Sequence, residues 1–164
     1  MARAAVGLGA NLGDRRAHLA GAVHLLAAAG PLVAVSSLYE TAPVGGPAQG
    51  PFLNAVAVVE AGLTPRALLD LCLGIERRAG RRRRVRWGPR LLDLDLLLYD
   101  RAVVDEPGLQ VPHPRLGGRR FVLEPLAEAW PEAALPDGTP VAGLLGAVAD
   151  QEVTVVAGPG WWDE

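Results

Sequence analysis

Apolar residues gather in four short runs along the chain, each bounded by polar or turn-forming residues. The runs cover residues 3–9, 32–40, 52–60 and 91–99, and their content of Val, Ala and Leu is typical of buried strands. The loop 41–51, rich in Gly and Pro, is longer than a tight hairpin needs, and loops of that length are often functional. The pattern therefore predicts four strands and one extended loop.

Two segments between the strands carry apolar residues at helical spacing. The first begins at the turn 11–14 and ends at Gly30, and the second begins with Thr64 as N-cap and Pro65 in its first turn. We therefore predict two amphipathic helices, the second ending near Gly80. The positions expected to face the core are Leu19, Ala22, Val23 and Leu26 in the first helix and Leu68, Leu71, Cys72, Ile75 and Ala79 in the second.

The order strand, helix, strand, strand, helix, strand predicts an α+β fold with a ferredoxin-like βαββαβ core and a mainly antiparallel sheet. A short pairing segment at 102–104 and extra C-terminal helices at about 115–127 and 139–149 are expected after the fourth strand. We expect a single domain over residues 1–157. Residues 158–164 form a flexible tail in this interpretation, and whether its two tryptophans pack on the domain is left open.

Length and composition indicate a protein of the cell interior. A chain of 164 residues fits one domain that can bury a core without disulfides. Its single cysteine, Cys72, lies among leucines of a predicted helix, which favours a packing role and a reducing compartment. No apolar run has the length of a membrane span, and the N-terminal segment turns polar too early for a signal peptide. We therefore expect a cytoplasmic monomer that does not associate with membranes.

A carboxylate pair in the fourth strand is the sharpest chemical signal. Residues two apart in a strand share a face, so Asp93 and Asp95 are expected to project together, roughly 6.6 Å apart along the chain. Oxygen ligands with no His or Cys beside them suit Mg²⁺, which completes its shell with water and phosphates. The alternative is that one aspartate is only a solvated residue at a sheet edge. The opposite face of the strand is expected to carry Leu92, Leu94, Leu96 and Leu98.

All basic charge comes from arginine, because the sequence contains no lysine, and this excludes mechanisms that need a lysine. Eight of the 16 arginines lie within residues 77–90, immediately before the carboxylate strand. A guanidinium group can bind two phosphate oxygens at once, so this segment is a candidate site for binding a polyphosphate. Gly80 and Gly88 bracket it and are candidate hinges of a lid. A solvated loop and a nucleic-acid patch are the alternatives, and the net charge of −2 argues against the second.

Aromatic and amide side chains form a third group. Phe52 opens a strand and Asn54 follows on the same face, so the ring can stack on a flat heterocycle while the amide reads its edge. The plainer interpretation is that Phe52 and Phe121 are core residues and that His113, between two prolines, is a surface histidine. Motifs for phosphate loops, dinucleotide binding, serine nucleophiles and zinc are absent from the sequence.

Six motifs in chain order resemble those of the 6-hydroxymethyl-7,8-dihydropterin pyrophosphokinase family. The match spans about residues 5–138, with frequent family residues replaced at Ala10 (Ser in many relatives) and Phe52 (Tyr in many relatives). The motifs are residues 9–13 (GANLG), 36–41 (SSLYET), 52–55 (FLNA), 75–77 (IER), 86–95 (RWGPRLLDLD) and 111–115 (VPHPR), of which 86–95 is the most specific.

The resemblance implies transfer of the β,γ-diphosphoryl group of ATP to the hydroxymethyl oxygen of the dihydropterin, a step of folate biosynthesis that releases AMP. It also implies ATP as co-substrate and two Mg²⁺ ions held by Asp93 and Asp95. The catalytic residues it implies are these two aspartates with Arg81, Arg83 and Arg90. The implied pterin site consists of Thr41, Ala42, Val44, Phe52, Asn54, Trp87 and Phe121. The implied ATP site consists of Glu76, Arg86, Trp87, Arg90, His113 and Arg119.

The segment from Gly80 to Trp87 is about one residue shorter than in some relatives of that family. Which of Arg82, Arg83 and Arg84 matches the second lid arginine is therefore left open.

Two other functions are compatible with the same residues. A nucleic-acid-binding module that uses the arginine segment would bind RNA or DNA with a steep salt dependence. A kinase that releases ADP would differ only in the phosphorus attacked, so the product, AMP or ADP, distinguishes it.

Overall fold

The computed structural model describes residues 1–42, 50–80 and 91–163. Strands and helices are mixed along these ranges, and the fold is α+β, as the pattern predicts. The strands are β1 (Ala2–Ala10), β2 (Leu32–Val35), β3 (Leu38–Thr41), β4 (Phe52–Ala61), β5 (Asp93–Tyr99), β6 (Val104–Glu106), β7 (Leu109–Val111) and β8 (Thr154–Ala157). The α-helices are α1 (Arg15–Leu26), α2 (Pro65–Arg78) and α3 (Arg120–Ala129), and 3₁₀ helices lie at Ala27–Ala29, Leu116–Gly118, Val141–Val148 and Trp161–Asp163.

One antiparallel sheet contains six of these strands. Its order is β5-β1-β4-β3-β8, and β2 also pairs with β4. The N-terminal part of β4 pairs with β3 and its C-terminal part pairs with β2. Because neighbouring strands run in opposite directions, the end of β1, the start of β4 and the start of β5 meet at the same end of the sheet.

The two faces of the sheet cover separate cores. On one face, α1 and α2 pack on apolar residues of β1, β4 and β5, such as Val6, Ala57 and Leu94. On the other face, α3 and the Val141–Val148 helix pack on Val56 and Leu97, among others. Both faces are buried, which explains why β4 reads as a nearly continuous apolar run rather than as an alternating one.

The starts of α1 and α2 follow from their capping residues. Asp14 Oδ1 accepts a hydrogen bond from Ala17 N at 3.1 Å, and Thr64 Oγ1 accepts one from Ala67 N at 3.2 Å. The predicted cap at Thr64 is confirmed, and α1 buries the four predicted residues. Of the five positions predicted in α2, three are buried together with Glu76, and Leu71 and Ala79 are half-buried. At 14 residues, α2 is short for a membrane span, and no helix in the described part of the chain is long and apolar enough to cross a bilayer.

The predicted strand over 32–40 is wrong as one continuous strand, because it is broken at Ser36 and Ser37 into β2 and β3. Ser36 forms backbone and side-chain hydrogen bonds in place of the interrupted strand pairing. Its N–H donates to Val56 O, and its Oγ accepts from Val56 N and donates to Ser37 O. The sequence 32–40 is apolar enough for a strand, and the break depends on these local side-chain bonds.

Three other elements differ from the predicted ones. The segment predicted to pair at 102–104 gives way to the hairpin of β6 and β7, which pair with each other. The helix predicted at 115–127 becomes a 3₁₀ turn followed by α3 from Arg120. The region 139–149 folds as a 3₁₀ helix, for which its two glycines, Gly143 and Gly146, give a weak α-helical preference.

Leu98 does not lie with Leu92, Leu94 and Leu96 as the alternation predicts. The pairing of β1 with β5 shifts between Ala5 and Val6, so β5 contains a bulge at this point. Beyond the shift, Leu97 and Leu98 both belong to the core under α3.

The C-terminal segment adds β8 to the sheet beside β3 and then packs against the domain. Trp161 is buried, with its Nε1–H donating to Ser36 O at 2.9 Å. Trp162 meets the ring of His24 edge-on, with centroids 5.1 Å apart. The question that the sequence left open is answered for both tryptophans, while the boundary at residue 157 and the flexibility of 158–164 stay predictions.

Candidate active site

A row of paired residues crosses four strands on the face of the sheet that packs against α3. Asp93 of β5 pairs with Gly9 of β1, which in turn pairs with Asn54 of β4. Asn54 also pairs with Tyr39 of β3. Paired residues project to the same face, so the Asp93 carboxylate and the Asn54 amide lie on one side of the sheet, separated by about two strand spacings, or roughly 10 Å. Asp95, two residues along, shares that face.

Gly9 leaves the centre of this row without a side chain. A β-carbon at this position would lie 3.1 Å from Asn54 Oδ1 and 4.0 Å from the Phe52 ring. The glycine therefore leaves room for the amide of Asn54 to lie over the strand, between the carboxylate end of the row and the aromatic start of β4.

The predicted heterocycle-binding residues of β3 and β4 are brought together. Asn54 Nδ2 donates to Thr41 Oγ1 at 3.0 Å, and Thr41 pairs with Phe52. Asn54 and Thr41 are buried, Phe52 is half-buried and Ala42 is exposed. A buried amide with a fixed neighbour presents its remaining donor and acceptor in a defined direction, which suits the edge of a flat ring.

The carboxylate strand β5 lies at the edge of the sheet, and side chains and backbone from other elements bind its outer groups. Glu76 of α2, which is 4% exposed, accepts a hydrogen bond from Leu94 N at 2.8 Å through Oε2. On the same edge, His113 N donates to Leu97 O at 3.0 Å. Glu76 therefore fixes the backbone between Asp93 and Asp95.

His113 faces Asp95 with a defined tautomer. Its Nδ1 accepts a hydrogen bond from Arg115 N at 3.2 Å, so the proton of the neutral ring is on Nε2, which lies 3.8 Å from Asp95 Oδ1. Burial lowers the pKa of His113 below its ordinary value, the Asp95 carboxylate opposes this shift, and Arg119 and Arg115 add to it. The Nε2 side of the imidazole therefore faces a half-exposed carboxylate at a distance longer than a direct hydrogen bond.

The start of α3 adds a cation and an aromatic ring. The guanidinium carbon of Arg119 lies 5.5 Å from the centroid of the Phe121 ring. Burial lowers the pKa of Arg119, with Arg115 adding to the shift and Asp95 opposing it. Arg119 therefore interacts electrostatically with Asp95, which is distant in sequence, and with His113.

A cleft of about 600 Å³ opens beside Asp95. Apolar side chains of α2 and β5, including Leu69 and Leu96, form one wall, and the β6–β7 hairpin with His113 and Gln110 forms the other. Its size fits a small ligand rather than a macromolecule, and Asp95 is part of its lining.

Comparison with known proteins gives the same assignment as the sequence motifs. The family model described as 7,8-dihydro-6-hydroxymethylpterin-pyrophosphokinase matches residues 5–131. The chain belongs to this family. The 2-amino-4-hydroxy-6-hydroxymethyldihydropteridine pyrophosphokinase of Methylorubrum extorquens is 48% identical over 137 residues, which are 82% of this chain and 87% of that protein. The protein of the same name from Bacillus subtilis is 50% identical over 125 residues, 75% of each chain.

Solved structures with a similar fold include the HPPK-DHPS proteins of Plasmodium falciparum. The triple mutant S436F/A437G/A613S with SDX-DHP superposes with a TM-score of 0.72 at 16% identity, over 91% of this chain. The wild-type protein gives a TM-score of 0.70. This chain spans 44% and 45% of the length of those two chains. At this identity the likeness concerns the fold.

The pyrophosphokinase has six further predicted site residues that lie outside the described residues, in the ranges 43–49 and 81–90. They are Val44, Arg81, Arg83, Arg86, Trp87 and Arg90.

One arrangement next to the site has no counterpart among the predicted residues. Glu128, near the end of α3, accepts hydrogen bonds from Ser37 and from the hydroxyl of Tyr39, the last residue of the cross-strand row. Ser37 and Tyr39 fall inside the 36–41 motif, so the sequence indicates that they belong near the site. No spacing rule links them to Glu128, which lies about 90 residues later.

Proposed function

We propose that this pyrophosphokinase transfers the β,γ-diphosphoryl group of ATP to the hydroxymethyl oxygen of 6-hydroxymethyl-7,8-dihydropterin, giving the pterin diphosphate and AMP in folate biosynthesis. Family membership supports the reaction. The structural observation that supports it is the row in which Asp93 and Asn54 flank Gly9, because a carboxylate suited to Mg²⁺ and an amide suited to the edge of a heterocycle lie on one face.

Asp93 and Asp95 fit a magnesium site. Both project from one face of β5, Asp93 half-buried and Asp95 more exposed, and their oxygens are the ligands that Mg²⁺ prefers. We assign two Mg²⁺ ions to this pair, because Mg²⁺ is usually bound by one or two carboxylates together with substrate phosphates and water. When bound, the ions neutralise the charge that develops on the phosphate oxygens.

The pterin is assigned to the Asn54 end of the row. Asn54 and Thr41 read the ring edges, with Ala42 and Val44 beside them, while Phe52 and Phe121 stack on its two faces. The support is that Phe52 and α3 lie on the same face of the sheet, where α3 residues pack against Val56 two positions after Asn54. Trp87 is assigned to the same ligand on the family motif.

ATP is assigned to the 600 Å³ cleft with its phosphates toward Asp95. Glu76 holds the strand that forms the wall, and His113 lines the cleft beside Asp95. Arg119 is assigned to the phosphates on the family motif, and its electrostatic interaction with Asp95 supports this. The sequence adds Arg81, Arg83, Arg86 and Arg90, whose guanidinium groups suit the triphosphate.

In the reaction, the hydroxymethyl oxygen forms a bond to the β-phosphorus, and the bond from that phosphorus to the α–β bridging oxygen breaks. AMP leaves with the bridging oxygen, and the hydroxyl proton is released to water, which can reach the site because the Asp95 side chain is 52% exposed. Such a transfer depends on in-line positioning and charge neutralisation more than on a protein nucleophile.

We also infer that the core is ferredoxin-like. If β2 and β3 are taken as one interrupted strand, the chain follows the order βαββαβ through β5, with every neighbouring pair antiparallel.

The decisive experiment compares Asp95→Asn with Asp150→Asn, an exposed aspartate that takes no part in the site contacts. With ATP, Mg²⁺ and the hydroxymethyldihydropterin, the wild-type protein and Asp150→Asn should form AMP at the same rate. Asp95→Asn should keep its thermal midpoint and lose AMP formation by at least about a hundredfold, since it removes a charge at the transferred group. Turnover of Asp95→Asn at the wild-type rate would contradict the metal assignment, and ADP as the product would contradict the reaction.

A further inference from the structure

Glu128 makes three hydrogen bonds from α3 to the start of β3. Its Oε1 accepts from Ser37 N at 2.9 Å and from the hydroxyl of Tyr39 at 2.7 Å, and its Oε2 accepts from Ser37 Oγ at 2.7 Å. Glu128 itself is exposed, whereas Ser37 and Tyr39 are 7% and 5% exposed. Burial, together with the hydrogen-bonded carboxylate, raises the pKa of Tyr39, so the phenol is held as a donor.

These bonds complete the break between β2 and β3. The two backbone N–H groups of Ser36 and Ser37 donate to Val56 O and to Glu128, and their two carbonyls accept from Trp161 Nε1 and from Ser36 Oγ. All four polar groups of the break are thus satisfied, two of them by side chains from distant parts of the chain. The direction in which β3 leaves the break depends on these partners.

Both elements that Glu128 joins carry residues assigned to the pterin. On the sheet, Tyr39 pairs with Asn54, two residues before Thr41 on the same face. On the helix, Phe121 is seven residues before Glu128, so both project from the same side of α3, roughly 10 Å apart along its axis. The hydrogen bonds of Glu128 therefore hold α3 at one rotation about its axis, and this rotation determines the direction of the Phe121 ring.

The first turn of α3 has less support of its own. Pro125 lies inside the helix and has no N–H to donate to Phe121 O, the bond that an α-helix would otherwise form there. The helix is tied at its start by Arg120, whose N and Nη1 donate to Gln151, and at its other end by Glu128. The orientation of Phe121 thus depends on the hydrogen bonds of Arg120 and Glu128, which lie on either side of the turn that lacks a helical hydrogen bond.

We propose that Glu128, acting through Ser37 and Tyr39, is a positioning residue for the pterin site. It keeps the Phe121 ring of α3 in register with Asn54 and Thr41 of the sheet, so that the ring and the amide engage one heterocycle together. This inference rests on the proposed function, and it assigns Glu128 a role in affinity for the pterin rather than in the chemical step.

The test uses three variants of the full chain. Glu128→Gln keeps the shape of the side chain and removes the charge of the carboxylate that accepts three hydrogen bonds. Tyr39→Phe removes only the hydroxyl, and it tests the same inference if Glu128→Gln folds poorly. Tyr99→Phe is the matched control, because its hydroxyl also donates a 2.7 Å hydrogen bond, to Leu63 O, away from the site. The measurements are the thermal midpoint, KM for the hydroxymethyldihydropterin, KM for ATP, and kcat.

We expect Glu128→Gln and Tyr39→Phe to raise KM for the pterin about tenfold, equivalent to about 1.4 kcal/mol, with kcat and KM for ATP within about twofold of wild type. Tyr99→Phe should lower the thermal midpoint without changing either KM. In the double variant of Glu128→Gln and Tyr39→Phe, the increase in KM should be no larger than in one single variant.

A purely structural role for Glu128 predicts a lower thermal midpoint with an unchanged KM for the pterin, and that result in Tyr39→Phe and Glu128→Gln would overturn the inference. Equal increases in both KM values would overturn it as well, because they would indicate a general distortion. Failure of the proposed function is seen separately, since the wild-type protein would then form no AMP.

Discussion

Gly9 lies opposite Asn54 in the sheet, and a β-carbon on Gly9 would come within 3.1 Å of Asn54 Oδ1. A side chain at position 9 would therefore come closer than van der Waals distance to Asn54, whose amide is assigned to the pterin. Gly7, two residues earlier on the same face, faces the side chain of Leu97, with 3.4 Å between its added β-carbon and Leu97 Cδ1. The two glycines therefore form a matched pair for substitution.

We predict that Gly9→Ala raises KM for the pterin by about tenfold, because the new methyl group displaces the Asn54 amide, equivalent to about 1.4 kcal/mol of binding free energy. Gly7→Ala should leave this KM unchanged, since the Leu97 side chain can adjust to a contact at its tip. Steady-state kinetics with the pterin as the varied substrate measures both. Equal effects of the two substitutions on this KM would show that the Asn54 amide does not bind the pterin.

The buried thiol of Cys72 should be inert and should make stability depend on alkaline pH. Burial, reinforced by the charges of Glu76 and Asp95, raises the pKa of Cys72 to about 12. A free thiol has a pKa of about 8.5, so above that pH Cys72 ionises in the unfolded chain but not in the folded one. This difference favours the unfolded chain, and the free energy of unfolding therefore falls as pH rises from about 8.5 toward about 12. From pH 8 to pH 10, the free energy of unfolding should fall by about 2 kcal/mol more for wild type than for Cys72→Ala.

Chemical denaturation at several pH values measures this difference, and reaction with a thiol reagent at pH 8 gives a second readout. The native protein should not react, whereas the protein in urea should react with one equivalent of reagent. Rapid labelling of the native protein would contradict the burial of Cys72.

The C-terminal tryptophans should differ in their contribution to stability. Trp161→Phe removes the donor to Ser36 O in a buried position and should cost about 2 kcal/mol of unfolding free energy. Trp162→Phe keeps an aromatic ring against His24 at the surface and should cost less than about 1 kcal/mol. Urea denaturation of both variants measures this difference, and a larger loss for Trp162→Phe would show that the tail does not dock as described.

The first two helices were predictable from the sequence, whereas the elements that depend on distant partners were not. The caps and apolar stripes of α1 and α2 are encoded within each helix, so Thr64 and the buried face of α1 were predicted correctly. The break at Ser36 and Ser37 depends on Glu128 and Trp161, which no local pattern connects to it. The strand β8 was missed because its four residues are largely exposed and have no periodic signal.

The candidate site shows the same division. Asp93, Asp95, Phe52 and Asn54 were identified from residue type and spacing, and their place on one face follows from the period of a strand. The pairing of Asp93 with Gly9 and of Gly9 with Asn54 was not predictable, since one sequence does not set the register between strands. For the same reason the contact of His113 with Asp95 required the structure.

The bonds from Leu94 N to Glu76 and from His113 N to Leu97 O occupy outward-facing groups of β5, the strand that carries both carboxylates. An open strand at the side of a sheet can recruit a strand from another molecule and so begin aggregation. In β5 two of the groups that such a strand would need are already bound. Glu76, which fixes the backbone between the two aspartates, thus also removes one of the groups through which a strand of a second molecule could pair with β5.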